Sequence, residues 1–174
     1  GLGDVYKRQL GRRGRLGGGE WFVAEIDESD GLFVGVRPTI AVVTNVGVDH
    51  LTTYGSLAAI ERAFRRYIAQ AERVVIDIDR ENMRNWVGDN PGIFTVGIDS
   101  PAELRAEGIR YDRFTTSFEL VHNGEMVDRV FLPAPGEHNV RNALCALGAA
   151  YLSGIDLGEI GGTQGAELSL IHIS

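Results

Sequence analysis

The spacing of apolar residues along the chain predicts alternating strands and helices. Residues 21–26 (WFVAEI) and 39–43 (TIAVV) are short, mostly apolar runs rich in strand-forming residues, a pattern typical of buried strands in a parallel sheet. Arg37 and Pro38 lie between them and mark a turn, because the residue before proline is driven out of helical geometry. We therefore expect two central strands here.

A helix is predicted after the second strand. Ser56 is a candidate N-cap, and apolar residues recur at spacings of three and four as far as Ala71, as on the buried face of an amphipathic helix. Residues 74–78 then form a predicted third strand. The order strand, helix, strand indicates a parallel crossover.

The pattern changes in the second half of the chain. A short helix is predicted at residues 80–87 and a fourth strand at residues 93–96. Three short strands joined by turn-forming residues then indicate an antiparallel meander. These strands are predicted at residues 102–110, 115–121 and 126–132.

A last helix is predicted at residues 138–152, and Gly154 follows it, as is common at helix C-termini. The predicted fold class is therefore α/β: a mostly parallel sheet flanked by helices, with a short antiparallel β excursion.

Composition narrows the classes of function. The chain has 174 residues, of which 44% are hydrophobic and 24% charged, as in ordinary globular proteins. No apolar run approaches the roughly 20 residues of a membrane-spanning helix, so no membrane partner is expected. The net charge of −7 disfavours nucleic acid, whose affinity comes from clustered Lys and Arg. The single cysteine, Cys145, excludes an internal disulfide and a cysteine-based zinc cluster, and it fits a cytoplasmic protein.

The two ends follow no structural pattern. Residues 1–9 (GLGDVYKRQ) and 168–174 (LSLIHIS) resemble translated sequencing-library adapter, which leaves residues 10–167 as the predicted domain. The alternative is an irregular N-terminus and a short C-terminal edge strand. Lys7 is the only lysine of the chain, so the predicted domain has no lysine for a phosphate-binding loop of the form GxxxxGKS or GxxxxGKT.

Acidic residues cluster at the end of the first predicted strand. They are Glu25, Asp27, Glu28 and Asp30. Ligands of open parallel sheets bind beyond the carboxyl ends of the strands, and carboxylates placed there can hold Mg2+ beside phosphates. Polar residues also follow the second predicted strand: Thr44, Asn45, Asp49 and His50. Two neighbouring strand ends are thus expected to meet at one crevice, although each group alone also fits a solvated turn.

Two asparagines lie at the start of the last predicted helix. Asn139 and Asn142 are three residues apart and therefore share a helix face. An amide offers the paired donor and acceptor needed to read an adenine edge. Helix capping with a solvent contact is the plainer interpretation, but capping explains at most one of the two.

Three segments together resemble the central, ATP-binding domain of Mur ligases. They are residues 17–31, 37–55 and 134–156. They carry the acidic string that begins at Glu25, the pair Asp49-His50, and Asn139 with Asn142, in the order of the family. The likeness is greatest to the alanine-adding members of the family. The resemblance also implies a fragment, because Mur ligases have an upstream phosphate-binding loop and further domains for the UDP-sugar and the amino acid.

The resemblance implies an enzyme that uses ATP and Mg2+ to join L-alanine to UDP-N-acetylmuramate through an acyl phosphate. By this resemblance Glu25 would be catalytic and bind the Mg2+ that bridges the ATP phosphates. His50 would be catalytic and bind a second Mg2+, and Asn139 and Asn142 would lie at the adenine pocket.

Three other functions remain open. A Mur-type ligase could use a different amino acid or a peptide. A metal-dependent phosphohydrolase could use Glu25, Asp27, Asp49 and His50 with a metal-activated water. A non-catalytic nucleotide-binding module could use only the adenine side.

Overall fold

The structure is a computed structural model that describes residues 19–47, 51–88 and 92–160. Its strands are β1 (Ile40–Val43), β2 (Arg73–Asp77), β3 (Ile93–Gly97), β4 (Leu104–Tyr111), β5 (Thr116–His122) and β6 (Glu125–Leu132). Its α-helices are α1 (Leu51–Tyr54), α2 (Leu57–Ile68), α3 (Glu81–Arg84), α4 (Glu137–Leu152) and α5 (Leu157–Ile160), and a 3-10 turn covers Leu32–Gly35.

The six described strands form one sheet in sequence order. Strands β1 to β4 pair with parallel neighbours, and β5 and β6 add an antiparallel extension. The predicted fold class is thereby confirmed: a mostly parallel sheet flanked by helices, continued by an antiparallel excursion. The carboxyl ends of β1, β2 and β3 lie at the same edge of the sheet, because the three strands run in one direction.

Helices cover both faces of the sheet. Val74 and Ile76 of β2 pack into a core with residues of α2, whereas Val75 packs into a second core against α4. This alternation is the period of two of a strand buried on both faces. Gly148 brings α4 close to the sheet, since a Cβ at that position would lie 3.1 Å from Val75 Cγ1.

Local signals predicted the two long helices well. Ser56 caps α2, and its Oγ accepts a hydrogen bond from the Ala59 N–H at 3.3 Å. Helix α4 begins one residue before its predicted start. Gly154 follows it with φ +96°, a left-handed conformation that glycine adopts without strain.

The predicted strand at residues 21–26 is wrong. The segment has no regular structure and pairs with no described strand, and Trp21, Phe22 and Val23 are 51%, 91% and 70% exposed. Strand propensity reflects fit to a pleated, half-buried surface, and this segment has no such surface against it. As a result, β1 lies at an edge of the described sheet rather than at its centre.

Smaller corrections concern element lengths. The helix predicted at residues 80–87 is shorter, since α3 covers only Glu81–Arg84 before turns begin.

The strings at residues 1–9 and 168–174 lie outside the described residues. Within the described ranges, no helix is both long enough and apolar enough to cross a membrane.

Candidate functional site

A buried arginine joins α4 to the carboxyl ends of β2 and β3. The Arg141 side chain is 9% exposed, and its guanidinium contacts four carboxylates. Nη1 lies 2.6 Å from Asp79 Oδ2 and 3.2 Å from Asp77 Oδ2. Nη2 lies 2.7 Å from Glu137 Oε1 and 3.4 Å from Asp99 Oδ2. These five residues are called the arginine cluster below.

Asp79 is anchored on both sides. The Ile98 N–H donates to Asp79 Oδ2 at 2.6 Å, and the Ser100 N–H donates to Oδ1 at 2.7 Å. Burial would raise the pKa of Asp79, but hydrogen bonds from the residues after β3 and from Arg141 outweigh burial and hold this pKa well below its ordinary value of 3.8. The carboxylate of Asp79 is therefore ionised throughout the neutral range.

Asp77 and Arg141 respond differently to their shared burial. Asp77 is 1% exposed, and burial raises its pKa by more than the neighbouring Asp79 N–H and the charge of Arg141 lower it. For Arg141, burial would lower the pKa, but hydrogen bonds to Glu137 and Asp79 and the charge of Asp77 raise it above its ordinary value. Arg141 is thus a permanent cation held among acids.

An open cavity of about 590 Å³ lies at the carboxyl ends of β1 and β2. Its lining includes Asn45 and Val46 after β1, and Asp79 and Arg80 after β2. Asn82 connects two parts of this lining, because its Nδ2 donates a hydrogen bond to the Val46 carbonyl at 2.8 Å. Asp79 therefore belongs both to the arginine cluster and to this strand-end cavity, in the place where α/β sheets bind ligands.

The acidic segment meets the chain that follows β1. Thr53 Oγ1 donates to the Ser29 carbonyl at 2.7 Å, and the Tyr54 hydroxyl donates to the Glu28 carbonyl. Glu28 and Asn45 also line one small cavity of about 20 Å³. Glu28 of the acidic segment therefore lies beside the chain after β1, although this segment is a loop and not the end of a strand. The predicted meeting of the acids with Asp49 and His50 falls outside the described residues and stays a prediction.

Two of the acids also shape their own loop. Asp27 Oδ1 accepts the Ser29 N–H at 2.8 Å, and Asp30 Oδ1 accepts the Leu32 N–H at 2.9 Å. Such hydrogen bonds are typical of Asx turns. The solvated-turn interpretation therefore holds for part of the acidic segment.

Of the two predicted metal ligands, Glu25 lies among the described residues and His50 does not. Glu25 is exposed in the irregular segment before the acidic turn, and Asp49 and His50 lie outside the described residues. Within the part of the chain that the structure describes, no group of three or more His, Cys, Asp or Glu side chains is arranged to hold a metal ion. The roles of Glu25 and His50 stay predictions.

Asn139 and Asn142 lie on the first two turns of α4, and both are half-buried. Asn139 Nδ2 donates to the Pro135 carbonyl at 2.8 Å, so this amide helps to hold the loop before the helix. The Asn142 amide makes no hydrogen bond with another described residue. Their shared face is as predicted, and nucleotide binding by them stays a prediction.

The turn into α4 requires glycine. Gly136 has φ +112°, a conformation that side chains disfavour. A Cβ there would also lie 2.8 Å from His138 Cε1. The geometry of this turn therefore depends on Gly136.

Sequence reasoning missed the arginine cluster. Asp77 ends β2 and Asp79 follows it, so the same strand-end rule could have indicated both acids. Arg141 gave no such signal, because an arginine on a helix is ordinarily a solvent-facing residue.

Comparison with known proteins identifies the family of this chain. The sequence profile of the Mur ligase middle domain matches residues 13–150, and the chain belongs to this family. A UDP-N-acetylmuramate--L-alanine ligase of Geotalea uraniireducens is 37% identical over 155 residues, which cover 87% of this chain and 34% of the relative. An enzyme of the same name from Geobacter sp. (strain M21) is 39% identical over 145 residues, covering 81% of this chain and 32% of the relative.

A solved structure supports the same grouping. The UDP-N-acetylmuramate-alanine ligase MurC of Thermotoga maritima matches with a TM-score of 0.66 and 29% identity, over 77% of this chain and 30% of that one. The chain spans about a third of the length of the relatives it matches.

Proposed function

We propose that the chain is the middle-domain portion of a cytoplasmic, ATP-dependent ligase that joins L-alanine to UDP-N-acetylmuramate in the synthesis of peptidoglycan precursors. The observation that carries this proposal is the match to relatives named for this activity, at 37% and 39% identity over most of the chain. A longer complete protein follows from the share of those relatives that the chain covers, 34% and 32%.

The amides on α4 support ATP as the nucleotide. Asn142 is half-buried with its amide unused by other described residues, and Asn139 is next to it on the same helix face. A side-chain amide suits the paired donor and acceptor of an adenine edge. In the proposed enzyme these residues bind and orient the base.

The acidic segment supports a Mg2+ ion that is shared between the protein and the nucleotide phosphates. Mg2+ bound to a nucleotide needs only one or two protein carboxylates, so the exposed carboxylate of Glu25 fits, with His50 as the second proposed ligand. When bound, ATP would supply the phosphoryl group that activates the muramoyl carboxylate for attack by the L-alanine amine, with release of ADP and phosphate, and Mg2+ would neutralise charge on the phosphates.

The chain by itself should lack ligase activity. Lys7 is its only lysine and lies outside residues 10–167, whereas phosphate-binding loops use a lysine to reach the terminal phosphates. We propose that another part of the complete protein supplies this lysine and the domains for the sugar nucleotide and the amino acid.

A coupled assay of phosphate release tests the proposal. The purified complete protein should release phosphate from ATP only when UDP-N-acetylmuramate and L-alanine are both present, and the 174-residue chain should not. Preference for another amino acid or a peptide would identify a different Mur-type ligase. Phosphate release without any amino acid would instead indicate a phosphohydrolase and refute the proposal.

A further inference from the structure

We propose that Arg141 is a positioning residue for the nucleotide site, and that its ion pairs set the rotation of α4 so that the Asn139 and Asn142 amides face the adenine. This inference rests on the proposed function, because it takes ATP as the ligand of those amides. Arg141 itself would not touch the nucleotide.

The cluster provides a rigid anchor for the helix. Asp77 and Asp79 are the deeply buried partners of Arg141, with side chains 1% and 4% exposed. Asp79 is held in turn by backbone N–H groups of Ile98 and Ser100 at 2.6 and 2.7 Å. The guanidinium therefore connects α4 to the ends of two strands through carboxylates whose own positions are determined by the sheet.

Helix geometry places the two amides to one side of this anchor. Successive residues are about 100° apart around a helix, so Asn142 lies about 100° and Asn139 about 160° from Arg141. The angle between Asn139 and Asn142 is about 60°. When Arg141 points into the sheet edge, both amides are turned away from the core, which agrees with their half-buried state.

Apolar packing turns one face of α4 toward the sheet, and the ion pairs of Arg141 refine this rotation. The core-facing side of α4 includes Val140, Leu144 and Leu147, all buried. Contacts of this kind are non-directional, whereas hydrogen-bonded ion pairs are directional and specify a single arrangement. A buried ion pair often adds little net stability over apolar residues of similar size. The benefit of Arg141 is therefore expected in the nucleotide site more than in the stability of the fold.

Equilibrium binding of ATP and GTP to the complete protein tests this inference. We expect Arg141→Met to raise the Kd for ATP about tenfold and to reduce the preference for ATP over GTP, because displaced amides no longer match the adenine edge. The Kd for ATP of Arg141→Lys should lie between those of Arg141→Met and wild type, since one ammonium group cannot reproduce the forked contacts of a guanidinium. The measurement is isothermal titration calorimetry with each nucleotide, without other substrates.

Arg129→Met is the matched control. Arg129 lies on β6, its side chain is 55% exposed, and it makes a single surface ion pair with Glu119 at 2.8 Å. The substitution removes the same charge outside the arginine cluster and should leave both Kd values unchanged. Folded Arg141→Met protein with wild-type Kd values for both nucleotides would overturn the inference.

Two further results separate the possible failures. If Arg141→Met does not fold, the double variant Asp77→Asn, Arg141→Gln removes one of the two buried carboxylates along with their partner, while Asp79 keeps its hydrogen bonds from the Ile98 and Ser100 N–H groups. The same loss of ATP preference is expected. Wild-type protein that binds ATP but does not ligate L-alanine would refute the proposed function and leave the Arg141 test intact. Wild-type protein that binds neither nucleotide would overturn both.

Discussion

The two halves of the candidate site are built by different means. On the proposed nucleotide side, the arginine cluster attaches α4 to the ends of β2 and β3, and its contacts join regular elements that are distant in sequence. On the acidic side, residues 25–30 form an irregular loop shaped by Asx turns and by hydrogen bonds from Thr53 and Tyr54.

The difference indicates which kind of change each half tolerates. The nucleotide side contains buried charges, so loss of one partner leaves another uncompensated and should disturb the fold as well as the site. The acidic side is largely exposed, so removal of a carboxylate there should change chemistry while leaving the fold intact. Substitutions on the acidic side should therefore change turnover, whereas substitutions in the arginine cluster should change nucleotide binding and stability.

The largest effect is expected from Glu25→Ala in the complete protein. Loss of the proposed Mg2+ ligand should lower turnover by roughly two orders of magnitude or more, because charge neutralisation matters most in the transition state. Glu20→Ala is the matched control, since Glu20 is an exposed acid in the same irregular segment. Steady-state kinetics, with circular dichroism to check folding, decide the matter. Near-normal turnover in folded Glu25→Ala protein would refute the assignment.

A smaller loss of turnover is expected from His50→Ala. Imidazole is an unusual ligand for Mg2+, so a second ion held by His50 should assist rather than carry the reaction, with a loss of roughly tenfold. Turnover measured across a range of Mg2+ concentrations should show a weaker metal response than in wild type. An unchanged response would mean that His50 holds no metal.

Much of the fold was predictable because its signals are local. The Ser56 cap, the spacing of Ile60 and Ile68, and the glycine after α4 each specify structure within a few residues, and each is confirmed. The antiparallel strands β4 to β6 were predictable for the same reason. The run at residues 21–26 was not, since a strand exists only where another strand pairs with it.

The site was predictable in part. A rule about strand ends predicted that the acidic segment would lie near the chain after β1, and Glu28 does lie beside that chain. The first strand that the rule assumed is not among the described strands. The contacts of Arg141 with Asp77 and Asp79 span more than 60 residues in sequence, and no local pattern reports them. Long-range ion pairs of this kind become visible only when the strands and α4 are placed together.

A change in affinity rather than turnover is expected from Asn139→Ala. Contacts to adenine lie away from the transferring phosphoryl group and act as uniform binding, so the KM for ATP should rise about tenfold while kcat changes less than about threefold. Asn142→Ala serves as a paired variant, because only Asn139 also holds the Pro135 carbonyl. A fall in kcat with unchanged KM in both variants would contradict an adenine site here.

The smallest effect concerns the dependence of stability on pH. The pKa of Asp79 lies below its ordinary value of 3.8 in the folded protein, so between these values the unfolded chain binds more protons and stability falls as the pH falls below about 4. Asp77 acts in the opposite sense, because burial raises its pKa and its contribution is lost only as the pH rises. Asp79→Asn removes the first of these titrations.

The variant should be less stable than wild type near neutral pH, since it lacks the ion pair with Arg141 at 2.6 Å. The gap in Tm should then narrow by a few degrees between about pH 4 and pH 2, because only wild type still loses the stability that an ionised Asp79 provides. Asp99→Asn is the matched control: its side chain is 78% exposed and lies 3.4 Å from the same arginine, so its Tm should follow wild type across this range. Thermal melts by circular dichroism test this, and a gap for Asp79→Asn that is constant with pH would show that Asp79 does not stabilise the fold through its charge.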